Sequence, residues 1–247
     1  MVEEWLERHV REYLEECPPE LRGWAIGRGL RGSMFSEMQI CIWRTTKEKC
    51  PDPGFAKRMG LGGKARDGWM LIPYWSPRGV ICGGEFRTWG EEAELDGKTV
   101  RDYRTPKSKF APVFLGMTPS VLEKIWRGAD VWIVEGVFDL SLYHVIPERD
   151  VVLGCGTARL TRTQINFLKR FLSPSSQVYL AWDEDETGQR QALGYFDPKL
   201  GKEITGAVAR LERKGIRVRH VRYRGGKDPG DIWERGGKPA LERSFNL

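Results

Sequence analysis

Hydrophobic positions fall into two textures along the chain, and the change comes near residue 121. Before it the pattern is irregular. Trp5, Leu6, Val10, Tyr13 and Leu14 recur at helical spacing and predict one amphipathic helix over residues 2–16, ended by Pro18-Pro19. A second short helix is expected over 19–28, and residues 45–68, rich in Lys, Gly and Pro, read as loop. The runs 69–74 and 80–86 read as two strands joined by the turn Ser76-Pro77-Arg78-Gly79. Residues 88–112 are polar again, and this half predicts an α+β subdomain over 1–120.

After residue 121 the rhythm is regular. A short helix is expected over 121–127, then a buried strand at Val131-Trp132-Ile133-Val134 and a helical pattern over 137–146. Val151-Val152-Leu153 predicts a second strand, and Thr161 caps a helix running to about 172. Residues 177–182 read as the third strand, with a helix from about Thr187 and another over 203–214. Residues 194–202 between those helices read as a surface loop, and 216–221 as the fourth strand. Strands alternating with helices in this way predict α/β: a mostly parallel, Rossmann-like sheet with helices on both faces, compact over 121–235 within a domain 121–247.

Composition narrows the function classes. The 247 residues are 40% hydrophobic and 30% charged, enough for a packed core. No run approaches the ~18–20 apolar residues of a membrane span, and the acidic N-terminus lacks the pattern of a signal peptide. A cytoplasmic protein with no membrane partner is expected. The five cysteines, at 17, 41, 50, 82 and 155, show no C-x₂-C spacing, and there are three histidines, so no zinc site is expected. The thiols read as small core residues. The net charge of +6 conceals an asymmetry: residues 1–20 carry seven acids and two arginines, while 210–227 hold eight Lys/Arg and one Glu. Such a basic field suits a polyanion such as nucleic acid or a nucleotide, or else is a solvated surface.

The candidate chemistry sits at strand ends. In parallel sheets functional groups gather beyond the C-terminal ends of strands. Glu135 follows the first strand, with Gly136 and Asp139 next to it. The third strand runs into Trp182-Asp183-Glu184-Asp185-Glu186, where Asp183 and Asp185 project to one side if extended. The fourth leads to Gly226-Lys227-Asp228-Pro229-Gly230-Asp231. Converging carboxylates repel unless a cation compensates, and Mg²⁺ or Mn²⁺ suits all-oxygen ligands. Carboxylate cages of this kind serve phosphoryl and nucleotidyl transfer. Taken singly, Asp139, Glu184 and Glu186 read as caps or solvated loop residues. Gly154-Cys155-Gly156-Thr157 reads either as a phosphate cradle or as a tight turn.

These residues resemble a known family. V-E-G-V-F-D at 134–139, G-C-G-T-A-R-L-T-R-T-Q at 154–164, D-E-D-E-T-G at 183–188 and K-D-P-G-D at 227–231 resemble, in order and spacing, the TOPRIM domain of DnaG-type bacterial and phage primases. That domain is shared with topoisomerases and certain nucleases. Arg28-Gly29-Leu30, Met70-Leu71-Ile72-Pro73, Gly83-Gly84 and Asp102-Tyr103-Arg104-Thr105-Pro106 are similar to elements of the primase RNA polymerase core. The resemblance implies a primase core that makes short RNA primers on single-stranded DNA from NTPs, with one to three Mg²⁺ or Mn²⁺ ions.

Residue by residue, the resemblance implies that Glu135 is the catalytic glutamate and that Asp183 and Asp185 are the catalytic, metal-binding pair. Asp139 and Asp228 are further metal candidates. The family's second aspartate in the K-D-P-D loop falls on Gly230, with Asp231 as a candidate replacement. Candidate nucleotide and DNA contacts are Arg87, Arg101, Arg104, Lys107, Lys109 and Lys227, and Trp69, Trp75 and Trp89 are candidate stacking residues. Cellular members carry a zinc ribbon and a helicase-binding segment besides the core. The expectation is therefore either a minimal phage or mobile-element primase or an isolated core, with a separate helicase or DNA-binding module as a candidate partner. A TOPRIM-type nuclease and a non-catalytic single-stranded-DNA-binding replication protein are the competing classes.

Overall fold

The computed structural model describes residues 14–43, 68–77, 79, 81–90, 103–104, 114–156 and 159–245. The chain divides into two compact units, Met1–Pro112 and Val113–Leu247. The division precedes the textural change at 121, because Phe114 and Met117 are buried in the core of the second unit.

The first unit is built on a five-stranded antiparallel sheet in sequential order. Its strands are β1 (Leu14–Glu16), β2 (Cys41–Trp43), β3 (Met70–Trp75), β4 (Ile81–Arg87) and β5 (Tyr103–Arg104). Helices α1 (Pro19–Gly27) and α2 (Gly32–Glu37) contribute Leu21, Ala25, Met34 and Phe35 to its core. The helix expected over 2–16 does not extend to its last residues. Leu14–Glu16 is a strand, pairing with residues 41–43; the rest of that segment lies outside the described residues. Pro73, which has no N–H to give, falls in β3 beyond the register shared with β2, so no ladder bond to β2 is lost there. Its partner Gly84 packs where a Cβ would strike Leu71 and the Ile72 carbonyl.

The second unit carries β6 (Val131–Val134), β7 (Val151–Gly154), β8 (Val178–Leu180) and β11 (Val218–His220) in the order β11-β8-β6-β7. All three pairings are parallel. The strands alternate as a two-faced sheet must. One face, with Val131, Ile133, Val151, Leu153, Val178 and Leu180, packs on α3 (Pro119–Trp126), α4 (Arg162–Phe171) and α6 (Ala207–Glu212) through Ile125, Ile165, Leu168 and Leu211. On the other face Trp132 stacks on Tyr179 at 4.4 Å and meets Phe245 of α7 (Pro229–Phe245) edge-on. Helices thus cover both faces. The 137–146 pattern is a 3₁₀ helix, Phe138–His144, packed on α7 with His144 stacked on Trp233 at 4.2 Å. Thr161 caps α4 in a reciprocal box with Gln164, as its spacing predicts.

Two elements differ from expectation. Residues 194–202 are not a loop. They open a hairpin of β9 (Gly194–Asp197) and β10 (Lys202–Thr205) between α5 (Glu186–Leu193) and α6, and the helix expected over 203–214 begins at Ala207. The hairpin exposes Phe196 and Leu200. Helix α7 carries the chain well past the K-D-P loop. It breaks at Gly236 and Gly237, the latter at φ 59°, and Pro239 opens its second segment.

Candidate active site

The sheet order creates the site. From β6 the chain moves to β7 on one side and then returns to β8 on the other. The crevice at such a reversal opens beyond the C-terminal ends of the two strands that flank it. Those ends, of β6 and β8, deliver Glu135 and the Asp183–Asp185 turn. The Asp183 N–H donates to Glu135 Oε1 at 3.4 Å, which couples the two strand ends directly.

Each acid is held by its local backbone. Asp185 is the N-cap of α5, with Oδ1 accepting from the Gly188 N–H at 2.8 Å. Gly188 is required there, since a Cβ would run into the Asp183 carbonyl. Asp139 is buried, and both its oxygens accept backbone N–H groups: Oδ2 from Gly136 at 2.8 Å and Oδ1 from Gly230 at 3.2 Å. It ties the exit of β6 to the start of α7. Asp228 Oδ1 accepts from the Asp231 N–H at 2.7 Å and so opens α7.

The electrostatics reflect crowding. Burial, then the charge of Asp183, pushes the Glu135 carboxyl up to about 8. Burial and the Asp228 charge also raise Asp139, and burial raises Asp183. Against these acids stands one ammonium: Lys227 Nζ lies 3.1 Å from Asp183 Oδ2 and 3.9 Å from Asp185 Oδ2. Lys227, a candidate nucleotide contact by sequence, lies among the carboxylates in the fold.

Glu184, between the two aspartates, is structural. Its carboxylate is gripped by Arg222, with Nε 2.9 Å from Oε1 and Nη2 2.7 Å from Oε2, and accepts from the Tyr223 N–H at 3.0 Å, joining the ends of β8 and β11. The sequence alone reads it as a cap or a solvated loop residue. Its partners lie in the fourth strand's exit, and only the parallel pairing of β11 with β8 brings them near. Glu186 pairs with Arg190 on the surface of α5. The carboxylate of Asp231, the candidate replacement for the acid missing at Gly230, accepts from the Lys227 N–H at 2.8 Å and pairs with Arg235 at 2.9 Å. A side chain at 230 would itself press on Phe138 and the Asp228 carboxylate.

The remaining candidates separate. Arg87 pairs with the fully buried Glu85 at 2.9 Å in β4. Arg104 lies in β5, while Arg101, Lys107 and Lys109 lie outside the described residues. Trp75 is buried and donates to the Met38 carbonyl, and Trp89 donates to the Gly68 carbonyl, so both indole N–H groups serve the fold. The Gly154–Gly156 turn is not a phosphate cradle, because the N–H groups of Cys155 and Gly156 are given to the Val134 and Glu135 carbonyls. Cys17, Cys41 and Cys155 are buried free thiols, and burial pushes Cys17 up to about 12.

Among the described residues no three carboxylate, histidine or cysteine side chains form a ready-made metal cage. The donor set nonetheless fits a hard cation: oxygen ligands, acids with raised affinity for protons, and a positive group already seated between Asp183 and Asp185. Within the described residues no helix is long and apolar enough to cross a membrane.

Comparison with known proteins agrees with this fold. Residues 132–233 match the Toprim-like family. A DNA primase from Clostridium acetobutylicum is 32% identical over 177 residues, 70% of this chain, and the chain spans about a quarter (26%) of that protein's length. The structure of the Aquifex aeolicus primase, comprising its zinc-binding and RNA polymerase domains, superposes with a TM-score of 0.68 at 22% identity, covering 99% of this chain and 60% of that one. A DnaG primase catalytic domain bound to single-stranded DNA gives 0.65 at 16% identity, covering 97% of this chain and 76% of that one. The chain is therefore a relative of the DnaG-type primases, built on the fold of their catalytic cores and carrying a Toprim-like domain.

Proposed function

We propose that this protein is a primase catalytic core that joins ribonucleotides on a single-stranded DNA template. The observation that carries the reading is the meeting of Glu135, Asp183 and Asp185 at the reversal of strand order, with the Lys227 ammonium among them. Relatedness to a DNA primase and the fold shared with a primase domain bound to single-stranded DNA support it.

Asp183 and Asp185, with Glu135, are the residues that would hold Mg²⁺ or Mn²⁺, and Asp228 stands behind them. Such an ion, when bound, stabilises negative charge on the triphosphate and lowers the pKa of a hydroxyl beside it. The chain's own residues prepare that ground. Asp139 fixes the Gly136 turn and thereby aims Glu135. The α5 cap fixes the backbone of Asp185 while leaving Oδ2 toward Lys227. Glu135, whose proton affinity is raised by burial and by the charge of Asp183, would be ionised by the cation and take its place among the ligands. Lys227, freed from its acids, is placed to meet a phosphate oxygen. The basic candidates Arg101, Arg104, Lys107 and Lys109 are proposed template and NTP contacts of the first unit. A cytoplasmic setting and a replicative helicase as partner belong to the same reading.

The test is an assay with single-stranded DNA, four NTPs and Mg²⁺ or Mn²⁺, comparing wild type with Asp183→Ala. Short RNA made by the wild type alone is the expected result. Template degradation without synthesis would shift the reading to a nuclease. DNA binding with neither activity would shift it to a binding module.

A further inference from the structure

The basic run 210–227 is largely consumed by the fold. Arg210 donates to the Leu160 carbonyl, Arg213 to Thr205, and Arg217 to the carbonyls of Ser175 and Ser176. Arg222 is bound by Glu184 and Lys227 by Asp183. Arg224 is among the few left, with no carboxylate partner among the described residues. It does not stand alone. Where α7 breaks, a cleft of about 370 Å³ opens, lined by Arg224, Gly225, Arg235, Gly236, Arg243 and Ser244 among others.

We propose that this cleft is a phosphate-binding site for a single strand of nucleic acid, with Arg224, Arg235 and Arg243 as its guanidinium donors. The inference rests on the nucleic-acid reading of the preceding subsection and assigns a place for the strand that the carboxylate site does not supply. Three guanidinium groups on one concavity would repel one another without an anion, and the supply of acid is short. Arg235 is compensated by Asp231 at 2.9 Å and also donates to the Gly225 carbonyl at 3.1 Å, which fixes it at the cleft wall. Glu242, next to Arg243 in sequence, is paired with Lys238. Among the described residues Arg224 and Arg243 therefore contribute two positive charges with no carboxylate partner. The planar fork of each matches the oxygens of a phosphodiester better than a lysine would.

The backbone keeps the cleft open. Gly225, at φ 94°, and Gly236 place no side chains in it, and a Cβ at 225 would approach Ser244 Oγ. The extended conformation of Gly236 and the left-handed one of Gly237 interrupt α7 where a continuous helix would carry residues across the gap. Location favours a strand over an isolated anion. Arg224 is three residues before Lys227 in one loop, so their Cα atoms are at most about 10 Å apart. A strand held at the cleft would therefore have the carboxylate site within the reach of the ~4–16 nucleotides that single-strand grooves typically engage.

The test is fluorescence anisotropy with a labelled single-stranded DNA of mixed sequence, titrated over a range of salt. Wild type is compared with Arg224→Ala/Arg243→Ala and with Arg224→Lys/Arg243→Lys. Each lost phosphate contact lowers the log–log salt slope by about 0.7 for single strands, so the alanine pair is expected to lose about 1.4. The lysine pair is expected to keep most of the slope, and circular dichroism melts confirm that both variants fold. Nucleoside triphosphate affinity in Mn²⁺, measured by calorimetry, is expected to be unchanged. An unaltered slope and DNA affinity in the alanine pair would overturn the proposal, as would loss of triphosphate binding with DNA binding intact. Failure of the primase reading is distinguishable, because it appears as absent primer synthesis by the wild type whatever the slope.

Discussion

Replacing Lys227 by methionine tests how the carboxylate site is balanced. The substitution keeps the length of the side chain and removes its charge. In bulk water an ion pair at 3.1 Å is worth about 1.3 kcal/mol and one at 3.9 Å about 1.1 kcal/mol. The Lys227 side chain is 56% exposed, so water, salt and side-chain entropy discount those figures. About 1 kcal/mol for both contacts together is the reasonable yield, which is roughly a fivefold change in an equilibrium constant. A divalent cation must displace this ammonium to reach Asp183 and Asp185. Lys227→Met should therefore bind Mn²⁺ about fivefold more tightly than wild type, while the metal-free variant melts at a lower temperature. Calorimetric titration of Mn²⁺ without nucleotide, at a pH above 8 so that Glu135 is ionised, reads the effect. Affinity unchanged or weakened in Lys227→Met would refute the view of Lys227 as the resident counter-charge.

Other consequences can be checked alongside. The folded pKa of Glu135, about 8, lies above its ordinary value of 4.5, so the folded state holds an extra proton between them. In chelator, thermal stability should fall as pH rises from about 4.5 to about 8, and Glu135→Gln should flatten that part of the profile in a fluorescence melt. Glu184→Ala strips Arg222 and the Tyr223 N–H of their acceptor and should cost about 1–2 kcal/mol in urea unfolding. A neutral result there would mean that the join between β8 and β11 rests elsewhere. Gly188→Ala forces a methyl against the Asp183 carbonyl, and a loss of about 1–3 kcal/mol with weakened Mn²⁺ binding is expected. Gln164→Ala removes half of the α4 capping box and a bond to the Cys155 carbonyl, for about 1 kcal/mol by the same measurement.

The second unit was largely legible because its signals are local. Four short apolar runs, a capping Thr161 and acids placed just after strands suffice to specify a parallel sheet and the end at which chemistry gathers. The strand order that unites β6 and β8 was not readable from those signals, and the site depends on it. Long-range partners were equally hidden. Lys227 reaches Asp183 across a helix, a hairpin, another helix and a strand, and the pairing of Leu14–Glu16 with residues 41–43 overrode a helical period. Helix α7 carries Gly236, Gly237 and Pro239 in its middle, residues that interrupt a helical pattern. They do break it, but into two segments that continue to pack, with Leu241 and Phe245 buried. The hairpin is concealed by its own turn-rich composition, Pro198-Lys199-Leu200-Gly201 being flanked by only four residues per strand.

That hairpin departs from and returns to one point. Gly194 and Gly206 lie so close that a Cβ on either would strike the other's backbone. The chain between them is therefore a detour whose two ends already meet. Such a junction is an engineering port: residues 195–205 can be exchanged for a fluorescent or affinity module, leaving the Asp185 cap at the far end of α5 in place.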